Sequence, residues 1–203
     1  PGSDRFDTEL GPVFANIVLA DEINRAPAKV QSALLEVMSQ GQVSIGGTTY
    51  PMPQPFLVMA TQNPIESEGV YPLPEAQRDR FLMKVVVDYP TGEEEREIVY
   101  RMGVVPPVPE QVLSPADLLR LQEAASHVFV HHALVDYVIR LVLSTRSPGD
   151  HGMSDVAGWV AYGASPRASL GMIAAARGLA LMRGRDYVLP QDVRELAKDV
   201  LRH

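Results

Sequence analysis

Cysteine is missing from all 203 residues, which removes disulfides, thiolate metal sites and cysteine nucleophiles together and leans towards a reducing compartment. Long apolar runs are missing too. Stretches such as Phe56 to Ala60 fall far short of a membrane span, and no basic, apolar, small-residue leader opens the sequence, so the expectation is a cytoplasmic protein without a transmembrane segment. Positive charge is scarce. A net charge of -7 and a pI near 5.2 argue against a general polyanion-binding surface. No internal repeat or low-complexity tract is present. What remains is 46% hydrophobic content, enough for the core of one large domain or two small ones.

The most informative stretch is Ile17-Val18-Leu19-Ala20 running directly into Asp21-Glu22 and then Ile23-Asn24-Arg25. An unbroken apolar run suits a strand covered on both faces, as in a parallel sheet, and such sheets gather their ligands at the strands' carboxyl ends. A carboxylate there can hold the magnesium of a nucleotide while a neighbour orients the attacking water. The same six residues also fit an ordinary strand end with a solvated acidic pair. A parallel strand needs long crossover connections, and residues 1–11 contain no complete element, so the chain is expected to begin inside a domain.

Further along, Val30, Ala33, Leu34, Val37 and Met38 recur at spacings of three and four up to Gly41, which predicts an amphipathic helix of about four turns. Gly46-Gly47 between two extended patterns predicts a hairpin. Phe56 to Ala60 reads as a second buried strand ending at Thr61-Gln62-Asn63-Pro64, and Phe81 to Val87 as a third. The fold class is therefore α/β with a parallel sheet over residues 1–103. Glu93, Glu94 and Glu95 suit the first turn of a helix closed by Gly103. The Pro-rich residues 104–113 read as a linker. Beyond it, residues 114–126, 130–146, 165–184 and 190–202 carry helical periodicity, which predicts a small all-helical domain over 114–203. His127, His131 and His132 have no acidic partner between them and read as surface or packing residues rather than a zinc site.

If the strands ending at Asp21-Glu22 and at Asn63 are parallel neighbours, about 4.8 Å apart, all three side chains share one rim. A carboxylate base and a neutral amide can then hold one water between them. Asn63 before Pro64 also fits a plain turn. Arg167 lies in the first turn of a helix opened by Ser165-Pro166, where the dipole disfavours a cation, so it needs an anionic partner, either a ligand or a nearby acid.

Leu19-Ala20-Asp21-Glu22-Ile23-Asn24-Arg25-Ala26-Pro27, then Ala60-Thr61-Gln62-Asn63-Pro64, then Tyr71-Pro72-Leu73-Pro74-Glu75-Ala76-Gln77 resembles the MoxR family of AAA+ ATPases, in order and across nearly the whole chain. The resemblance implies a P-loop NTPase-type core followed by a helical lid, with ATP and Mg²⁺ as ligands. It implies that Asp21 and Glu22 are the Walker B pair, Asp21 supporting magnesium through water and Glu22 activating the hydrolytic water. Asn63 corresponds to the first sensor and Arg167, in Gly163-Ala164-Ser165-Pro166-Arg167-Ala168, to the second, which reaches the nucleotide phosphates. Arg80 in Asp79-Arg80-Phe81 matches the arginine offered to a neighbouring subunit. Arg78 departs from the family, which has an apolar residue there, and reads as a solvated or acid-paired side chain. Both arginines also fit a surface ion pair with Asp79.

The resemblance further implies a homo-oligomeric ring, of hexameric type, that remodels partner protein complexes, among them von Willebrand factor A domain proteins. Residues 41–56 carry no charge, and a neutral hairpin lacks the phosphate-neutralising term that dominates nucleic-acid binding, so a protein client is expected and nucleic acid is not. No G-x-x-x-x-G-K-S/T sequence occurs in these residues, and the backbone cradle for the β- and γ-phosphates is absent with it. These residues alone are thus expected to bind ATP poorly and hydrolyse none. The competing readings are a related motor, of magnesium chelatase or helicase type, and a catalytically inactive AAA+ scaffold.

Overall fold

The computed structural model describes residues 9–63, 69–103 and 105–202. Pro64, Val104 and most of the polar opening, residues 1–8, lie outside them. The α/β part is built on two parallel strands, β1 (Ile17–Ala20) and β4 (Leu57–Ala60), paired Ile17 to Leu57 through Ala20 to Ala60. Between them run α1 (Ala28–Gln40) and a hairpin of β2 (Gln42–Ile45) and β3 (Thr48–Pro51). Gly46 and Gly47 make the hairpin turn with φ of 56° and 83°, a region that favours residues without a Cβ. Gly41, at φ 62°, ends α1 and turns the chain into β2.

Only one face of the strand pair is covered. Ala20 and Ala60 pack with Ile23, Leu34, Leu35 and Leu73 against α1, with Leu35 2% exposed. The other face, Ile17, Leu19, Leu57 and Met59, is 53–63% exposed. The expected two-sided burial is therefore half met within the described residues. Nor does a third strand form over 81–87. Its apolar pattern supplies side chains, but a strand also needs a neighbour's backbone groups. Lys84 N–H instead donates to Asp199 O at 2.8 Å, and Val85, Val86 and Val87 are exposed. A short helix, α2 (Glu75–Arg78), follows the Tyr71–Pro74 segment.

Helix α3 (Gly92–Met102) begins with a capping box: Glu94 N–H donates to Thr91 Oγ1, and the Glu94 carboxylate accepts from Thr91 N–H. The bonds that carboxylate accepts, from Thr91 N–H first and from the Thr91 hydroxyl second, hold the Glu94 carboxyl below the usual range. The helical part comprises α4 (Pro115–His127), α5 (His132–Arg146), α6 (Pro166–Met182) and α7 (Pro190–Leu201). Val138, Met172, Ala176, Ala180 and Val193 at its centre are all 0% exposed. His131 caps α5, its Nδ1 accepting from Ala133 N–H at 3.2 Å, and the His127 ring lies 2.9 Å from Glu123 O.

One charge is sealed into this core. Asp192 in the first turn of α7 is 0% exposed and accepts from Arg185 (2.6 and 2.8 Å), Arg183 (3.0 Å) and Leu189 N–H (2.8 Å). Burial by itself would raise its pKa. The Arg185 and Leu189 hydrogen bonds, with the Arg185 charge and the Arg183 hydrogen bond, outweigh that and hold the carboxyl below its ordinary value.

Candidate active site

The β1–β4 register carries past the strand ends and builds the acidic rim. Thr61 N–H donates to Ala20 O at 3.1 Å and Thr61 O accepts from Ile23 N–H at 3.0 Å, so the two strand exits stay side by side. The Thr61 hydroxyl then spans the gap, accepting from Glu22 N–H at 2.8 Å and donating to Asp21 Oδ1 at 2.5 Å. Asp21 is exposed, and its Oδ2 is left open among the described contacts. Glu22 has φ 47° and ψ 49°, the left-handed region, which it alone occupies among the described non-glycine residues. For a residue with a Cβ that conformation is strained by about 1–2 kcal/mol.

The turn after Glu22 is locked from beneath. Ile23 and Asn24 are buried in a single 3-10 turn, Ile23–Arg25. Gln31 on α1, 1% exposed, donates Nε2 to Ile23 O (3.1 Å) and Tyr71 O (2.9 Å), while Tyr71 N–H donates to Asn24 O at 2.6 Å. Asn24 Nδ2 reaches Asn63 O at 3.4 Å, and Asn24 Oδ1 is buried with no partner. Asp21, Glu22 and Asn63 thus follow adjacent strands onto one rim. The Glu22 carboxylate is turned along the surface to Arg25, Nε to Oε2 2.9 Å.

Arg80 stands elsewhere. Its Nη1 donates to Leu35 O (3.0 Å) and Ser39 Oγ (3.1 Å), near the C-terminal end of α1, where the helix dipole favours a cation. The rim is tied to α1 nearer its start, through Gln31 Nε2 to Ile23 O. Arg80 is exposed and does not attend its own Glu22. Arg78 is half solvated and, among the described residues, is not paired with Asp79. It is half-buried, its Nε shielded without a partner, because the Asp79 carboxylate is turned to the helical part instead.

Asp79 accepts at Oδ1 from Ser165 Oγ (2.6 Å), and its Oδ2 lies 3.5 Å from Arg167 Nη1. Ser165 Oγ caps α6 by accepting from Arg167 N–H at 3.1 Å, with Pro166 in the first helical position. The anionic partner that Arg167 needs is, in this structure, Asp79. Beside the pair opens a cleft of about 270 Å³ between the two parts, lined by Asp79, Arg80, Arg167 and Leu170 among others.

Sequence reasoning had overlooked Thr61, Gln31 and the bridging role of Asp79. A hydroxyl directly after a strand that faces two carboxylates was the available signal for Thr61. Gln31 was hidden as a polar residue within an amphipathic pattern.

A family model described as "ATPase family associated with various cellular activities (AAA)" matches residues 2–83, and an AAA lid domain model matches residues 153–203. The chain is 74% identical to Chaperone MoxR1 of Mycobacterium tuberculosis over 202 residues, covering 100% of this chain and 54% of that protein. It is 32% identical to Protein MoxR of Paracoccus denitrificans, covering 96% of this chain and 62% of the relative. The crystal structure of a candidate ATPase from Cytophaga hutchinsonii superposes with a TM-score of 0.92 at 47% identity, over 96% of this chain and 60% of that one. The chain therefore spans a little over half the length of the curated relatives it matches. Motifs in register, two AAA models in chain order, 74% identity to Chaperone MoxR1 along the whole of this chain and the fold of a 47%-identical ATPase carry one conclusion: this chain belongs to the MoxR family of AAA+ ATPases.

Proposed function

We propose that the intact protein is an ATP-hydrolysing motor that remodels partner protein complexes in the manner of a chaperone. The observation that carries the reading is the β1–β4 register, with the Thr61 crosspiece, that brings Asp21, Glu22 and Asn63 to one rim. In this reading Glu22 accepts the proton of the attacking water, and Asn63 fixes that water or reads the γ-phosphate. Arg167 binds phosphate from the lid, and Arg80 is lent to the site of the neighbouring subunit in a ring. Its exposed place on α1, bonded to Leu35 O and Ser39 rather than to its own Glu22, supports that assignment. A guanidinium so placed can be worth about 10³ or more in rate.

The rim fits magnesium. Asp21 offers an exposed carboxylate with Oδ2 open, and Mg²⁺ takes hard oxygen ligands while keeping several of its waters. When bound, the ion would neutralise charge on the β- and γ-phosphates. These 203 residues do not contain the phosphate-binding loop itself. The uncharged hairpin of β2 and β3 supports a protein client over nucleic acid, and von Willebrand factor A domain proteins are the partners proposed. An inactive scaffold has no need to retain Glu22, Asn63, Arg80 and Arg167 together.

Glu22→Gln in the full-length protein tests the reading. The variant should bind ATP within about two-fold of wild type and lose hydrolysis by about 10² or more, the range of a lost general base. Hydrolysis at the wild-type rate would exclude Glu22 as the base, and a wild-type protein that neither binds nor hydrolyses ATP would exclude the motor.

A further inference from the structure

Residues 79–84 are held by both parts of the molecule. Asp79 faces the lid, binding Ser165 and Arg167, whereas Arg80 faces back and lies on α1 through Leu35 O and Ser39. Phe81 packs with the α/β cluster. Leu82 meets α6 so closely that a Cβ on Gly171 would lie 2.7 Å from Leu82 Cδ1, and Met83 packs on the lid core. Lys84 N–H closes the set on Asp199 O of α7 at 2.8 Å. The segment leaves α2 as a turn, with Arg80 N–H donating to Gln77 O and Phe81 N–H to Arg78 O. A short segment clamped from both sides links the seat of the lid to the seat of Arg80 on α1.

We propose that Asp79 is a positioning residue: by holding Ser165 and Arg167 with its two oxygens, it makes the seat of the lid determine how Arg80 is presented to the neighbouring subunit. The inference rests on the reading of Arg80 and Arg167 given above. Asp79 has both features this coupling requires. It is the residue adjacent to Arg80, and its carboxylate grips the first turn of the very helix that carries Arg167. A nucleotide phosphate that draws Arg167 away from Asp79 would loosen the lid's hold on the segment that orients Arg80. One subunit's nucleotide state would thereby reach its neighbour's catalytic rate.

Asp79→Asn in the full-length protein separates this role from a merely structural one. The amide keeps the shape and an acceptor for Ser165 but loses the charge that holds Arg167. We expect kcat for ATP hydrolysis to fall about ten-fold while KM and the Kd of a fluorescent ATP analogue stay within two-fold. Because Asp79 acts through Arg80, the double variant Asp79→Asn/Arg80→Ala should be no slower than Arg80→Ala alone. Additive slowing in the double variant, or weakened ATP binding at unchanged kcat, would overturn the proposal. Leu82→Ala loosens the same seam from its apolar side and serves if Asp79→Asn does not fold. It should lower kcat about three-fold at constant KM, again without effect in the Arg80→Ala background, and a wild-type rate there overturns the proposal equally. If Arg80→Ala itself hydrolyses ATP at the wild-type rate, the assignment of Arg80 fails, and the positioning role fails with it.

Discussion

The lid and the rim of the α/β part solve the problem of placing charge in opposite ways. In the lid, a carboxylate is enclosed completely: Asp192 is 0% exposed, two arginines and a backbone N–H satisfy it, and the surrounding core is closed. At the rim, Asp21 is exposed and Glu22 half-exposed, Glu22 is strained, and the strands beneath have one face open. The contrast separates a carboxylate that secures a fold from carboxylates left accessible at a strand end. A buried ion network has no coordination left to offer. An exposed one, fixed by backbone and hydroxyl hydrogen bonds, keeps an oxygen open at the expense of local stability.

The largest effect should come from abolishing the enclosed charge. Asp192→Asn leaves Arg183 and Arg185 without their shared carboxylate and should destabilise the lid by about 2–3 kcal/mol. That is below the full figure for a broken buried pair, because both guanidinium groups can still reach solvent. Denaturant unfolding monitored by helicity measures it. The pH dependence has a definite sign. The folded carboxyl titrates below its unfolded value of about 3.9, so its stabilisation is complete above that value and drains away as pH falls through it towards the lower folded pKa. Wild type should lose helicity more steeply than Asp192→Asn across that window, and parallel acid titrations would remove Asp192 from the explanation.

A smaller effect is expected at the crosspiece. Thr61→Val keeps the shape and removes the hydroxyl, leaving Glu22 N–H and Asp21 Oδ1 to water. The expected loss is about 1 kcal/mol, as for one exposed hydrogen-bonding group, with Thr61→Ser within about 0.5 kcal/mol of wild type. If Val and Ser behave alike in denaturant melts, the hydroxyl does not hold the rim.

How far the sequence foretold each part follows from the range of the forces involved. The lid's helices were legible because each carries its own period and its own cap, as with Ser165-Pro166 at α6. The rim residues Asp21, Glu22 and Asn63 were legible because strand ends and family motifs mark them in the chain. Asp79's contacts with Ser165 and Arg167 were not, since they join residues 86 positions apart through side chains that have no periodic signature. The third strand over 81–87 failed for a related reason. Apolar alternation reports what a segment can bury, whereas pairing depends on a backbone neighbour, and here residue 84 finds α7.

The finest test compares backbones rather than charges. Glu22 sits at φ 47° while ordinary helical and extended residues surround it, so any side chain with a Cβ at that position carries the left-handed penalty. Glu22→Ala and Glu22→Gly lose the same carboxylate and the same exposed pair with Arg25, so that loss cancels between them. Glycine should then be the more stable by about 0.5–1 kcal/mol, reversing the order found inside a helix, where alanine is favoured by a similar amount. The difference is read from denaturant midpoints of the two variants side by side. Alanine equal to or above glycine would mean that Glu22 relaxes out of the left-handed region once its side chain is gone. In that case the Arg25 pair and the Thr61 hydroxyl, rather than the path of the backbone, hold the turn in shape.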